Sequence, residues 1–140
     1  MDRQGFFSID AIFAVALLLI IAGVFSNVYN GRNQAATWIR VGAEAKSTCE
    51  KLVAAINTVY ANGSALNLCI DLPATIGGHA YVILFDNISR EITIDVPDVG
   101  VTSSTAKATT TCNNIALGSL DTSKRVRVYW ENSSVKVTNI

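Results

Sequence analysis

The sequence predicts an α+β protein in which a long N-terminal helix packs on a C-terminal antiparallel β-sheet head. Three observations predict it. Between positions 6 and 25 the only polar side chains are Ser8 and Asp10, and the apolar run 11–25 is unbroken. Apolar residues then return at helical spacing, at Ile39, Ala45, Cys49, Leu52, Ile56, Val59 and Tyr60, with Arg40, Glu44, Lys46, Glu50 and Lys51 largely off that stripe. Beyond Gly63 the period shortens to two, which is the alternation of strands.

The apolar run has four competing readings: a cleaved secretory signal, a plain membrane anchor, a buried core helix, or a retained assembly helix. A secretory signal has an apolar stretch of about 7–15 residues followed by a small-x-small cut site. Here the stretch reaches or exceeds that limit, and Phe25-Ser26-Asn27-Val28 offers no such site. A core helix seldom stays apolar all round for several turns, whereas roughly 20 such residues cross a bilayer. Length therefore favours a membrane segment. Within it Asp10 needs a purpose, because a carboxylate costs on the order of 2.5–3.5 kcal/mol at the bilayer centre and less near the interface.

The residues around Asp10 supply one. The stretch Arg3-Gln4-Gly5-Phe6-Phe7-Ser8-Ile9-Asp10 resembles the class III leader of type IV pilins, and Ser8 with Asp10 resembles the archaeal form. In that family a short charged leader ends in Gly, Phe opens the mature chain, and an acid stands fifth. The match covers about 20 residues and departs from the family's pattern in Asp10, where Glu is commoner, and in Gln4, where a base often precedes the glycine. The resemblance implies that a prepilin leader peptidase cuts between Gly5 and Phe6, so that the apolar run is kept. It implies that the free α-amine of Phe6 pairs with Asp10 of a neighbouring subunit. Such an amine has an unperturbed pKa of about 7.7–8.0. At about 4 Å and an effective dielectric near 20 the attraction is roughly 4 kcal/mol before desolvation.

The function implied is that of a structural subunit, a pilin or pseudopilin, in an extracellular helical filament, with adhesion among the roles such filaments serve. The subunit would be a homo-oligomer, held in the cell membrane before assembly, delivered by a membrane assembly platform, and then found at the cell surface. The alternative is a single-pass anchored extracytoplasmic binding domain that does not polymerise. Small residues Ala11, Ala14, Ala16, Ala22 and Gly23 lie among Leu and Ile, and small positions let helices approach closely. Gly23 either marks a locally unwound stretch or is a tolerated membrane-helix glycine.

The implied organisation is a leader at 1–5, an apolar helix at 6–26, its amphipathic continuation at 27–62 and a β-rich head at 63–140. No proline precedes Pro73, so nothing forces the helix to stop before the Ala61-Asn62-Gly63 signal, and a bend is expected at Gly31 or Gly42 if anywhere. Strands are expected from the alternation of Leu66, Leu68, Ile70 and Leu72 with Asn67, Cys69 and Asp71, and over 81–85 and 91–96. A hairpin is expected from 125–130 and 134–138 around Asn132-Ser133. The Thr/Ser-rich stretch 97–111 reads as loop. Val126, Val128, Trp130, Val135 and Val137 are expected to cover the helix stripe.

Chemistry-bearing residues are sparse. With 11 basic and 11 acidic residues the chain carries no electrostatic footprint for nucleic acid. Cys49, Cys69 and Cys112 form no CxxC pair and His79 is the only histidine, so no zinc or iron–sulfur ligand set is expected and no cofactor is implied. Asp71, Asp86, Asp95 and Asp98 lack the spacing of an EF-hand loop. His79 has no base or nucleophile partner in sequence, and no catalytic constellation is expected. One disulfide is allowed in an extracytoplasmic head, with Cys69–Cys112 favoured as the exposed or edge pair and the two pairings of Cys49 still open. Sequons at Asn62, Asn87 and Asn132 are candidate N-glycosylation sites.

Overall fold

The computed structural model describes residues 9–97, 104–118 and 120–140. It shows an α+β protein: α1 (Ile9–Asn62), a 3₁₀ turn (Gly63–Ala65), and strands β1 (Asn67–Ile70), β2 (Val82–Asp86), β3 (Glu91–Val96), β4 (Ser104–Thr109), β5 (Ile115–Leu117), β6 (Val126–Glu131) and β7 (Ser134–Asn139). The chain divides into two units, Met1–Ala36 and Thr37–Ile140. The second therefore begins inside the helix.

Helical assignment passes through Gly23, Gly31 and Gly42 without interruption. It ends where expected, because Gly63 takes φ +64°, the left-handed conformation that closes a helix and that costs glycine little. In the Thr37–Ile140 unit the helix buries Val41, Ala45, Cys49, Leu52, Ile56 and Val59, a single stripe of three- and four-residue steps. Two members of the expected stripe are corrected. Ile39 is 74% exposed and Tyr60 37%, and Val41 carries the first turn of the stripe at 1%.

The head contains two sheets rather than one. The first, in order β1-β6-β7-β5, is mixed, since β5 runs parallel to β7. The second, β2-β3-β4, is antiparallel throughout. Alternation places Val126, Val128, Val135 and Val137 of the first sheet and Ile92, Ile94 and Val96 of the second in one buried cluster with the helix stripe. Trp130, expected in the core, is only partly buried against it. The 97–111 stretch is not all loop: β4 forms within it, pairing with β3 from Ser104 opposite Val96 to Thr109 opposite Glu91.

Polar contacts tie the helix to the β elements. Asn57 Oδ1 accepts from Thr110 Oγ1 at 2.7 Å, the Thr111 amide at 3.0 Å and Thr111 Oγ1 at 2.9 Å, fixing the connection after β4. Glu44 Oε2 accepts from the Gly77 amide at 3.0 Å. Gly77 takes φ +58°, and a Cβ there would come within 2.4 Å of Val41 Cγ2, so the Ile76–His79 turn requires glycine on both counts.

Tyr81 is buried and donates its hydroxyl to the Pro73 carbonyl at 2.6 Å, and burial pushes its phenol up to about 12. The folded phenol holds its proton more tightly than the unfolded one near 10. Its stabilising contribution is therefore full below about pH 10 and is lost as pH rises toward 12. Tyrosinate absorbance should show one late-ionising group that Tyr81→Phe removes. A Tyr81→Phe protein that keeps that late step would show the assignment to be wrong.

Candidate assembly segment and surface sites

In the Met1–Ala36 unit, residues 11–25 of the helix are apolar on every side and exposed throughout. Ile12 is 58% exposed, Phe13 70%, Leu18 68% and Phe25 70%, although all four are large apolar side chains. A helix apolar all round is stable only inside protein or lipid. Its length and composition suffice to cross a membrane. Ala11, Ile12, Val15, Ala16 and Leu19 line a shallow apolar groove along one side, where the two alanines leave room between the larger side chains. A Cβ at Gly23 would meet nothing within 4 Å, so that side of the helix is equally open.

Asp10 stands in the first turn of α1, where a carboxylate complements the partial positive charge of a helix N-terminus. Gly5 and Phe6, the cleavage pair expected from the leader pattern, lie outside the described residues. Of the Phe6–Asp10 pair that the leader resemblance implies, Asp10 alone falls within the described residues.

The head's titratable groups are dispersed. Asp71 pairs with Arg125 at 2.8 Å on the surface, where both side chains are about two-thirds exposed, and such pairs contribute little. Asp86 accepts from the Ile88 amide at 2.9 Å and from Ser89 Oγ at 2.8 Å, bonds that hold its carboxyl below the usual range. Asp95 accepts from Thr105 Oγ1 at 3.2 Å; Asp98 lies outside the described residues. His79 exchanges backbone hydrogen bonds with Ile76 across a tight turn. Among the described residues no group of three or more His, Cys, Asp or Glu side chains gathers as a metal site.

The three cysteines are free thiols in the structure, and Cys112, expected at an exposed or edge position, is buried as Cys49 is, while Cys69 is exposed. Cys112 is fully buried, its thiol directed at the Asn114 carbonyl at 3.5 Å. Cys49 lies on the helix stripe, donates to the Ile92 carbonyl at 3.2 Å, and has its thiol pKa raised by burial. The polar context around Cys112 conceals that position: the 110–112 backbone is drawn inward by the Asn57 clamp. That clamp and the Glu44–Gly77 contact escape sequence reasoning, since both join residues far apart in the chain with no periodic signal.

All three sequon asparagines are exposed at chain reversals: Asn62 at the end of α1, Asn87 between β2 and β3, and Asn132 between β6 and β7. No family model, curated protein or solved structure matches the chain.

Proposed function

We propose that this chain is a structural subunit, a pilin or pseudopilin, of a type IV pilus-like filament assembled through its N-terminal helix. The observation that carries the reading is the apolar helix itself, uncovered on every side over its first turns and continuous in assignment with the helix that forms the core of the β head. Before assembly lipid covers that surface; in the filament, the same helices of other copies do. Lipid tails are as apolar as the side chains, so close packing and charge pairing, not hydrophobicity alone, must favour the helix bundle over the bilayer. The charge that would pair is the carboxylate of Asp10, which stands in the first turn of α1. The β head faces outward and presents the surface through which the filament adheres or signals. A single helix able to cross a membrane equally supports an anchored domain that never polymerises, and filament isolation separates the two.

The leader pattern makes the first test direct. Native protein should begin at Phe6, read by N-terminal sequencing or intact mass. A chain beginning at Met1, or one cut after the apolar run, would remove the pilin reading.

A further inference from the structure

Strand registers show that the three sequons share one end of the head. Ser104, the start of β4, lies beside Gly42, and Thr110, just past its end, bonds Asn57, so β4 runs in the same direction as α1. Its antiparallel neighbour β3 pairs Glu91 with Thr109, which brings the β2–β3 turn carrying Asn87 to the end where α1 finishes. Asn67, five residues after Asn62, pairs with Tyr129, and the rings of Tyr60 and Trp130 stand 5.8 Å apart. The β6–β7 turn carrying Asn132 is thereby brought to the same end. Asn62 closes the set, since it is the last residue of α1.

A second regularity is chemical. Each sequon asparagine is preceded at two residues by an aromatic: Tyr60-Ala61-Asn62, Phe85-Asp86-Asn87 and Trp130-Glu131-Asn132. Aromatic residues are 8% of the chain, so composition alone does not account for three such placements. Phe85 and Trp130 are the penultimate residues of β2 and β6, just before the turns that carry Asn87 and Asn132. Phe85 and Asn87 also line the same groove of about 290 Å³, between β2 and β5, the facing outer strands of the two sheets. The groove combines an apolar ring with open backbone polar groups, the two kinds of surface a sugar presents in return.

The geometry points to N-linked oligosaccharides on Asn62, Asn87 and Asn132 that cap the end of the head where α1 finishes. The first sugar on Asn87 enters the β2–β5 groove against Phe85, and that on Asn132 meets the Tyr60–Trp130 pair. In the transfer, each asparagine Nδ2 bonds to the anomeric carbon of a lipid-linked, phosphate-activated oligosaccharide. The carbon–oxygen bond to phosphate breaks, the lipid phosphate leaves with the electron pair, and a membrane glycosyltransferase takes one amide proton. Asn62 Nδ2 already donates to the Thr58 carbonyl at 2.7 Å, and the hydrogen left after transfer can keep that bond. The inference rests on an extracytoplasmic head and not on filament formation.

The test is glycopeptide mass spectrometry of full-length protein from its native cells, with protease accessibility of the head on intact cells measured in parallel. Sugar mass is expected on all three asparagines, and Asn62→Gln, Asn87→Gln and Asn132→Gln should each remove one increment. Because Asn132 sits at φ +50°, Ser134→Ala supplies a second route to the loss of that sequon. Bare asparagines on an accessible head overturn the glycan assignment and leave the filament reading standing; bare asparagines on an inaccessible head overturn both. The ring contact is tested by a double-mutant cycle in thermal midpoint. The strain of Gln at φ +50° is common to both backgrounds, so Asn132→Gln should lower the midpoint more in wild type than in Trp130→Leu, and equal shifts in the two backgrounds overturn the contact.

Discussion

Ile56→Ala is expected to lower the stability of the head by about 2–5 kcal/mol, the range for truncating a fully buried isoleucine. Ile56 is 0% exposed and lies one helical turn from both Leu52 and Val59 on the buried stripe. The buried cluster it belongs to includes residues of both sheets, and a close-packed interior relaxes only partly around a cavity. Domains of this size are stable by about 5–15 kcal/mol, and the variant should lose a substantial share of that. Urea unfolding followed by tryptophan fluorescence measures it, with Trp130 reporting from its contact with Tyr60. The informative control is Ile39→Ala. At 74% exposure Ile39 should change head stability by no more than about 0.5 kcal/mol. An Ile39→Ala loss as large as that of Ile56→Ala would contradict the placement of the stripe.

That pair of residues also shows what was legible in the chain. Helical period located the stripe from Ala45 onward, because each residue there has a neighbour three or four positions away on the same buried face. At its start, Ile39 and Val41 are both β-branched and apolar, and only the packing of Gly77 against Val41 decides between them. Alternation indicates β1, β3, β6 and β7, and the short apolar run 81–85 indicates β2, but neither says which strands pair, so two sheets read as one. β4, Ser-Thr-Ala-Lys-Ala-Thr, carries one fully buried small residue, Ala106, and no large apolar side chain to reveal it. It forms along β3, from Ser104 opposite Val96 to Thr109 opposite Glu91. β5 is three residues long and parallel to β7, below what periodicity resolves. Exposure of the sequons was expected, yet their gathering at one end depends on strand register, which no local pattern encodes.

The largest functional effect is expected from Asp10→Asn. The substitution removes the negative charge while nearly preserving side-chain volume, and it lowers the cost of placing this turn in a membrane. The head, whose core lies entirely within Thr37–Ile140, should melt as wild type does. Leader cutting is to be verified first by N-terminal analysis, since an uncut chain would fail to assemble for a different reason. Once cut, on the proposed pairing, the Phe6 amine of each subunit meets an amide in place of the neighbour's carboxylate. The pair attraction of roughly 4 kcal/mol before desolvation is then largely gone. Even a net remainder of about 1.4 kcal/mol per added subunit corresponds to a tenfold weaker addition step, repeated at every subunit of a growing filament. Filament yield, measured as sheared surface protein against membrane-retained protein, should therefore fall at least tenfold. Asp10→Glu, which keeps the charge and lengthens the side chain by one methylene, should retain most of the yield. Wild-type yield from correctly cut Asp10→Asn would exclude charge pairing as the step that drives assembly, and helix packing alone would have to account for it.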